Sequence, residues 1–126
     1  FMRRLLLVAI TLSAITLGHF GVIRADDTDK PKYTIKDVMK TAHGGGPNSL
    51  LNKATGANAT KEDKEKIVEL YVALSMNKPA KGDEKSWKEK TTLLVKEAEA
   101  NLKGEAGAGP KLRAAANCRG CHRVHK

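Results

Sequence analysis

Apolar residues recur with the period of an α-helix in four segments of the chain, and no segment has the two-residue period of a β-strand. The first predicted helix begins at Thr34, with Asp37 three residues later as an acidic form of the capping box. It ends at the glycine run 44–46. Its apolar stripe is formed by Ile35, Val38, Met39 and Ala42.

Two longer predicted helices follow. The second begins at Thr60, with Asp63 in the same capping relation, and the third begins near Asp83 or Ser86 and stops before Gly104. Both have one apolar face at helical spacing. The inward residues are Ile67, Leu70, Tyr71 and Leu74 in the second helix, and Trp87, Leu94, Val95, Ala98 and Leu102 in the third.

The fourth predicted helix begins at Pro110 and continues through the C-terminal cysteines. Short links after the second and third helices favour antiparallel neighbours. The link 44–59 is longer, and we expect Leu50 and Leu51 to pin it to the core as a short turn of helix. The sequence therefore predicts one all-α domain, an antiparallel up-and-down four-helix bundle.

Residues 1–25 have the layout of an export signal. Arg3 and Arg4 precede the apolar run 5–17, and the small residue Ala25 ends a possible cleavage site. The alternative is an uncleaved membrane anchor, but small and polar residues interrupt the apolar stretch. We expect residues 26–126 to be a periplasmic domain with no stable membrane insertion after cleavage.

The chain is basic, with 23 Lys and Arg against 14 Asp and Glu and a formal net charge of +9. Cleavage would remove Arg3, Arg4 and Arg24 and leave the mature domain basic. Lysines alternate with glutamates along the predicted helices, a pattern typical of solvated faces. Export and the lack of basic clusters with aromatic residues argue against nucleic-acid binding.

The C-terminal segment Cys118-Arg119-Gly120-Cys121-His122 has the C-x-x-C-H pattern of covalent c-type haem attachment, in which two thiols add across the porphyrin vinyl groups. On a helix, Cys118, Cys121 and His122 share one side and can address one flat cofactor. A dithiol redox pair or half of a zinc site is the alternative. In an exported chain, however, unattached cysteines would be oxidised to a disulfide.

The composition also favours a large cofactor. Both phenylalanines, Phe1 and Phe20, lie in the predicted leader, and the mature chain is poor in large apolar side chains for a domain with such regular helical patterning. A planar apolar cofactor would supply the missing core. We therefore expect the protein without cofactor to be only marginally stable.

With a helical bundle and this motif in the last helix, the chain resembles the cytochrome c-prime family, whose ending is similar to residues 118–126. The resemblance implies haem c, His122 as the proximal iron ligand and a possible homodimer. In the low-spin branch of that family a methionine of the first helix is the distal ligand, which Met39 matches. Other members leave the distal face open and bind small gases.

Met39 could instead fill a gap in the core, as methionine often does. His43, one turn later, is the competing ligand, but it precedes the glycine run and we expect an exposed or capping role for it. Met76, at the end of the second helix, is expected to be packing or exposed. Met39 is therefore the predicted distal ligand, since a Met/His pair holds haem and raises its potential.

These features predict an exported monohaem electron carrier, not an enzyme. Its net positive charge would steer it to acidic redox proteins. The alternative is a five-coordinate cytochrome c-prime that binds nitric oxide or carbon monoxide. A peroxidase-like enzyme would need an open distal face and a distal base, for which His43 is the candidate.

Overall fold

A computed structural model describes residues 30–126 of the chain. Of these residues, 71% lie in helices and none lies in a strand, so the prediction of an all-α domain is confirmed. The predicted signal peptide, residues 1–25, and its cleavage site lie outside the described residues. Within residues 30–126, no helix has both the length and the apolarity needed to cross a membrane.

The first predicted helix is short, and only its first half is α-helical. The α-helix Ile35–Val38 continues without a break into one π-helical turn, Met39–His43. A 3-10 turn, Gly46–Asn48, then leads into a second short α-helix, Leu50–Thr55. The α-helices are, in chain order, α1 (Ile35–Val38), α2 (Leu50–Thr55), α3 (Lys61–Met76), α4 (Glu84–Leu102), α5 (Ala108–Ala115) and α6 (Cys118–His125).

The predicted capping boxes are confirmed for α1 and α3. The Thr34 hydroxyl accepts from the amide of Asp37, whose carboxylate accepts from the amide of Thr34, and Thr60 and Asp63 are paired in the same way. These reciprocal bonds satisfy two amides that a helix start leaves without partners. α4 is capped by Asp83, which settles the choice between its two predicted starts.

The hydrophobic core lies between α3 and α4, which pack along most of their length, and α5 covers α4 from the C-terminal side. The apolar faces that the 3.6-residue period predicted are the ones that pack inward. Val38 and Ala42, from the first segment, close the core beside α3. Its buried members are Val38, Ala42, Leu51, Ala54, Ile67, Leu70, Tyr71, Leu74, Trp87, Leu94, Ala98 and Leu112.

The long link after the first segment forms the short helix α2, as Leu50 and Leu51 predicted. Leu51 is buried, and Leu50 packs against the core from a half-buried position. The buried amide of Asn101 in α4 donates to the carbonyl oxygen of Ala54 at 2.9 Å. This bond satisfies the carbonyl of a helix too short to be stable alone, so α2 is held by α4.

The prediction of one continuous fourth helix from Pro110 is wrong. α5 begins two residues earlier, at Ala108, and the helix breaks at Ala116 and Asn117, which have ψ angles of 44° and 92°. The Asn117 side chain accepts from the amide of Gly120 and so starts a new helix, α6. Asparagine is among the strongest N-cap residues, and this cap competes with continuation of α5.

The segment before α1 is fixed to α3 by an ionic cluster. Lys32 and Lys66 both pair with the carboxylate of Glu69, and the Tyr33 hydroxyl lies 3.4 Å from the same carboxylate. Hydrogen bonds with the two lysines, first Lys32 and then Lys66, lower the pKa of Glu69 to about 2. Asn77 adds a bond from its amide to the carbonyl oxygen of Tyr33 at 2.8 Å.

Candidate functional site

The three residues of the C-terminal motif lie on one short helix. Asn117 caps α6, so Cys118 occupies its first position and Cys121 and His122 follow one turn later. Both cysteines are free thiols; Cys118 is exposed and Cys121 is half-buried against the core. The predicted grouping of Cys118, Cys121 and His122 on one helix is therefore confirmed, although the helix is α6 alone.

α6 is held to the rest of the fold by its last turn. Of its eight residues, only His125 is buried. Nδ1 of His125 donates to the carbonyl oxygen of Lys81 at 3.1 Å, and Nε2 is hydrogen-bonded to the Ser86 hydroxyl at 3.2 Å. The ring also stands edge-on to Trp87, 5.3 Å between centroids. His125 thus ties the motif helix to α4 and to the turn that precedes it.

That turn comes very close to α6 at Gly82. Gly82 has a φ of +89°, and a Cβ atom there would lie 2.6 Å from Nδ1 of His125 and 2.6 Å from the carbonyl oxygen of Val124. Glycine is therefore required at this position for both its backbone conformation and its lack of a side chain.

The opposite wall of the site is the π-helical turn that begins at Met39 and ends at His43. Such turns are rare in proteins overall, but those that occur often lie at functional sites. Gly44 follows immediately, and a Cβ atom there would lie 2.2 Å from the carbonyl oxygen of Lys40. The chain can therefore leave the π turn at this angle only with glycine.

Met39, His43 and the motif residues line a single cavity of about 110 Å³. The two walls come from opposite ends of the chain, the π turn on one side and the start of α6 on the other. Its floor is formed by Leu74 of α3 and by Thr91 and Leu94 of α4. The structure thus brings together all four predicted site residues, Met39, Cys118, Cys121 and His122.

A second cavity, of about 460 Å³, adjoins the first and shares Met39, Cys121 and His122 with it. Ile35 and Trp87 add apolar surface to its lining. Met39, His122 and Cys121 line both cavities, and Cys118 lines the first. A methionine sulfur, an imidazole and two thiols are the donor set that holds haem in c-type cytochromes with Met/His ligation. Small residues at the end of α5, Ala115 and Ala116, leave room for a flat group. The residues present therefore fit a covalently attached haem.

The expectation that His43 is exposed or caps the helix is wrong. Its ring is half-buried and stacks on Tyr71, with 5.8 Å between centroids and 25° between planes, and Nε2 lies 3.4 Å from the Tyr71 hydroxyl. Burial, and then the charge of His122, lowers the pKa of His43, so a neutral imidazole lines the cavity at pH 7. Its side chain faces the site because Tyr71 offers the buried ring a stacking and hydrogen-bonding partner.

Burial raises the pKa of the Cys121 thiol; nearby Lys90 opposes the rise and the neighbouring Cys118 adds to it. The Cys118 sulfur lies 3.6 Å from the carbonyl oxygen of Ala116. Burial raises the pKa of Tyr71 as well, with a smaller contribution from Cys118, so this phenol stays protonated. The His43 imidazole, the Cys121 thiol and the Tyr71 phenol are thus uncharged at pH 7, and Lys90 also lines the cavity.

Met76, the remaining candidate ligand, lies away from the cavity, and Trp87 and His125 are buried in the fold. Met76 is 41% exposed at the end of α3, as expected of a residue without a site role. Trp87 is buried, and its indole nitrogen donates to the carbonyl oxygen of Asn77 at 2.8 Å. His125 is not recognisable as an anchor from the sequence, because its partners lie about forty positions earlier in the chain.

Comparison of the chain with protein-family models, curated proteins and solved structures gave no match.

Proposed function

We propose that this protein is an exported monohaem c-type cytochrome that carries electrons. Haem c would be bound covalently through Cys118 and Cys121, with His122 as the proximal and Met39 as the distal iron ligand. The observation that supports this most strongly is the cavity between the π turn and α6, which joins a C-x-x-C-H helix to a methionine from the other end of the chain.

Each residue has a separate task in this proposal. The Cys118 and Cys121 thiols add across the two vinyl groups and so fix the position of the porphyrin. His122 and Met39 would be the iron ligands in both oxidation states, which would limit rearrangement. Leu74 and Leu94 exclude water from the buried side. Bound in this way, haem supplies a one-electron couple whose potential the thioether ligand raises.

The architecture supports the finer proposal of an antiparallel four-helix bundle similar to cytochrome c-prime. The four antiparallel elements of the bundle would be the first segment, α3, α4, and the pair α5 and α6. Of these, α3 packs most extensively on α4. The links between α3 and α4 and between α4 and α5 are short, which favours antiparallel neighbours. The break at Asn117 would be a local departure within the fourth leg.

The cellular setting is part of the same proposal. Export by residues 1–25 would place the protein in the periplasm, where its thiols could be joined to haem instead of to each other. Acidic redox proteins are the proposed partners, because removal of Arg3, Arg4 and Arg24 with the leader leaves 23 − 3 = 20 Lys and Arg against 14 Asp and Glu, a formal net charge of +6. Such encounters are typically small and short-lived. A homodimer through the bundle helices is possible within the family that the chain resembles.

The ferric spectrum of the haem-loaded protein tests the electron-carrier proposal against gas binding. We expect a low-spin centre with the weak charge-transfer band of methionine ligation, and loss of that band in Met39→Ala. Met76→Ala is the matched control, because Met76 is exposed and lies outside the cavity, and it should keep the band. A high-spin wild-type spectrum, with ready binding of carbon monoxide on reduction, would favour the gas-binding alternative.

A further inference from the structure

The π turn presents two potential iron ligands to one cavity. Met39 is its first residue and His43 its last, four positions later, and both line the space beside His122. Positions four apart on a helix lie on the same face. Thioether sulfur and imidazole nitrogen are both established axial ligands of haem. The site thus offers two donors from one turn for a single coordination position.

Tyr71 controls which lone pair of His43 is available. Its hydroxyl lies 3.4 Å from Nε2, the outer ring nitrogen, and the phenol ring is fully buried. In the tautomer with its proton on Nδ1, Nε2 accepts from Tyr71 and its lone pair is occupied. A distance of 3.4 Å is long for a hydrogen bond to a hydroxyl group, so this bond is weak and can be exchanged for a stronger one.

Burial of the His43 imidazole costs free energy unless its ring nitrogen has a stronger partner than the Tyr71 hydroxyl. The imidazole is half-buried in an apolar setting, and its bond to Tyr71 compensates only in part for lost water. A bond to a metal at the same nitrogen would satisfy it fully.

We infer that His43 is a second distal ligand, which the Tyr71 hydroxyl keeps off the iron while Met39 is bound and which takes the distal position when Met39 is lost. This inference rests on the proposed function, since it concerns the same site. Its consequence is that loss of Met39 changes the potential of the centre without opening it to external ligands. His43 thereby protects the distal face from small gases.

The test compares Met39→Ala with Met39→Ala/His43→Ala as haem-loaded ferric proteins. The single variant is expected to remain low-spin, with the bis-histidine spectrum and no methionine band, and the double variant to become high-spin. After reduction, carbon monoxide should bind to the single variant at least about tenfold more weakly than to the double variant, because His43 must leave first. Equal, high-spin spectra and equal gas affinity for the two variants would overturn the inference.

Tyr71→Phe gives a second measurement that leaves Met39 in place. Removing the hydroxyl frees the Nε2 lone pair, so the methionine band should weaken in Tyr71→Phe and recover in Tyr71→Phe/His43→Ala. If the Met39 variants do not fold, the comparison of Tyr71→Phe with Tyr71→Phe/His43→Ala tests the inference by itself. An unchanged methionine band in Tyr71→Phe overturns the inference. A wild-type spectrum that is already bis-histidine and becomes high-spin in His43→Ala would overturn both this inference and the Met39 assignment. A colourless wild type would refute the proposed function and, with it, the inference that depends on it.

Discussion

The ring of His125 stands edge-on to Trp87, with 5.3 Å between the centroids and 74° between the planes. This contact joins the helix that bears the C-x-x-C-H motif to the first turn of α4. Since His125 is the only buried residue of α6, the position of His122 one turn earlier depends on it. His125 thus anchors the same short helix on which the proposed ligand, His122, lies.

His125→Ala should therefore destabilise the protein. The change removes two hydrogen bonds and the contact with Trp87, and we expect the free energy of unfolding to fall by about 2 kcal/mol. Denaturant unfolding of the haem-loaded protein measures this. Arg123→Ala, an exposed position on the same helix, is the control and should change stability by no more than about 0.5 kcal/mol. Equal stabilities of the two variants would show that His125 is not an anchor.

Gly82→Ala tests the close approach of the preceding turn to α6. The added Cβ atom would lie 2.6 Å from both Nδ1 of His125 and the carbonyl oxygen of Val124. Gly104→Ala is the matched control, because Gly104 also has a positive φ, +75°, but a Cβ atom there meets nothing within 4 Å. Both variants lose about 1 kcal/mol to backbone strain, and Gly82→Ala should lose at least about twice as much. Thermal unfolding that ranks Gly104→Ala as the less stable variant would contradict this account.

Asn117→Ala tests the start of the motif helix. The variant loses the bond from the Gly120 amide to the Asn117 side chain, 2.9 Å long, and stability should fall by about 1 kcal/mol. Thr60→Ala removes the equivalent cap of α3 at a similar cost. The haem spectrum separates the two variants, since only Asn117→Ala loosens the turn that carries Cys118 and Cys121. Identical spectra would mean that the cap does not position the motif.

Local sequence signals predicted most of the secondary structure. Thr34 with Asp37 and Thr60 with Asp63 are capping pairs within one turn, so their geometry depends on few other residues. The break at Asn117 carried a similar local signal, but the alanines before it favour helix and hid the boundary. Helix starts are therefore predictable here, whereas a break between two helix-favouring segments is less so.

The sequence predicted four of the residues that line the cavity, but it did not predict the orientation of His43. Cys118, Cys121 and His122 follow from motif spacing, and Met39 follows from an apolar stripe together with a family resemblance. The orientation of His43 depends on Tyr71, which is 28 positions later in the chain, and on a π turn that no residue pattern marks. Burial of His125 likewise requires the turn at Gly82. Such non-local contacts exist only after the helices have packed.

The cluster around Glu69 predicts a specific dependence of stability on pH. Its carboxyl has a pKa lowered from 4.5 to about 2 in the folded protein, so its contribution is fully present above pH 4.5 and is lost as the pH falls towards 2. Glu69→Gln should therefore be less stable than wild type at pH 6, and the difference should shrink through this acidic range. Because the side chain is 34% exposed, added salt should also reduce the difference.

Glu65→Gln is the control for that experiment. Its carboxylate is 52% exposed and pairs with Lys61 alone at 3.4 Å within α3, so its removal should change the pH profile little. Chemical unfolding at a series of pH values between 2 and 6 gives both profiles. A difference between wild type and Glu69→Gln that stays constant over this range would show that the cluster does not hold the carboxylate ionised.

The most direct test of the central proposal is the mass and visible spectrum of the full chain produced in a host with haem-attachment machinery. We predict that the denatured protein carries the mass of one haem and the spectrum of a c-type cytochrome, and that Cys118→Ser/Cys121→Ser carries neither after denaturation. Recovery of a folded, colourless protein with two free thiols or a disulfide, from a host that matures other c-type cytochromes, would contradict the proposal.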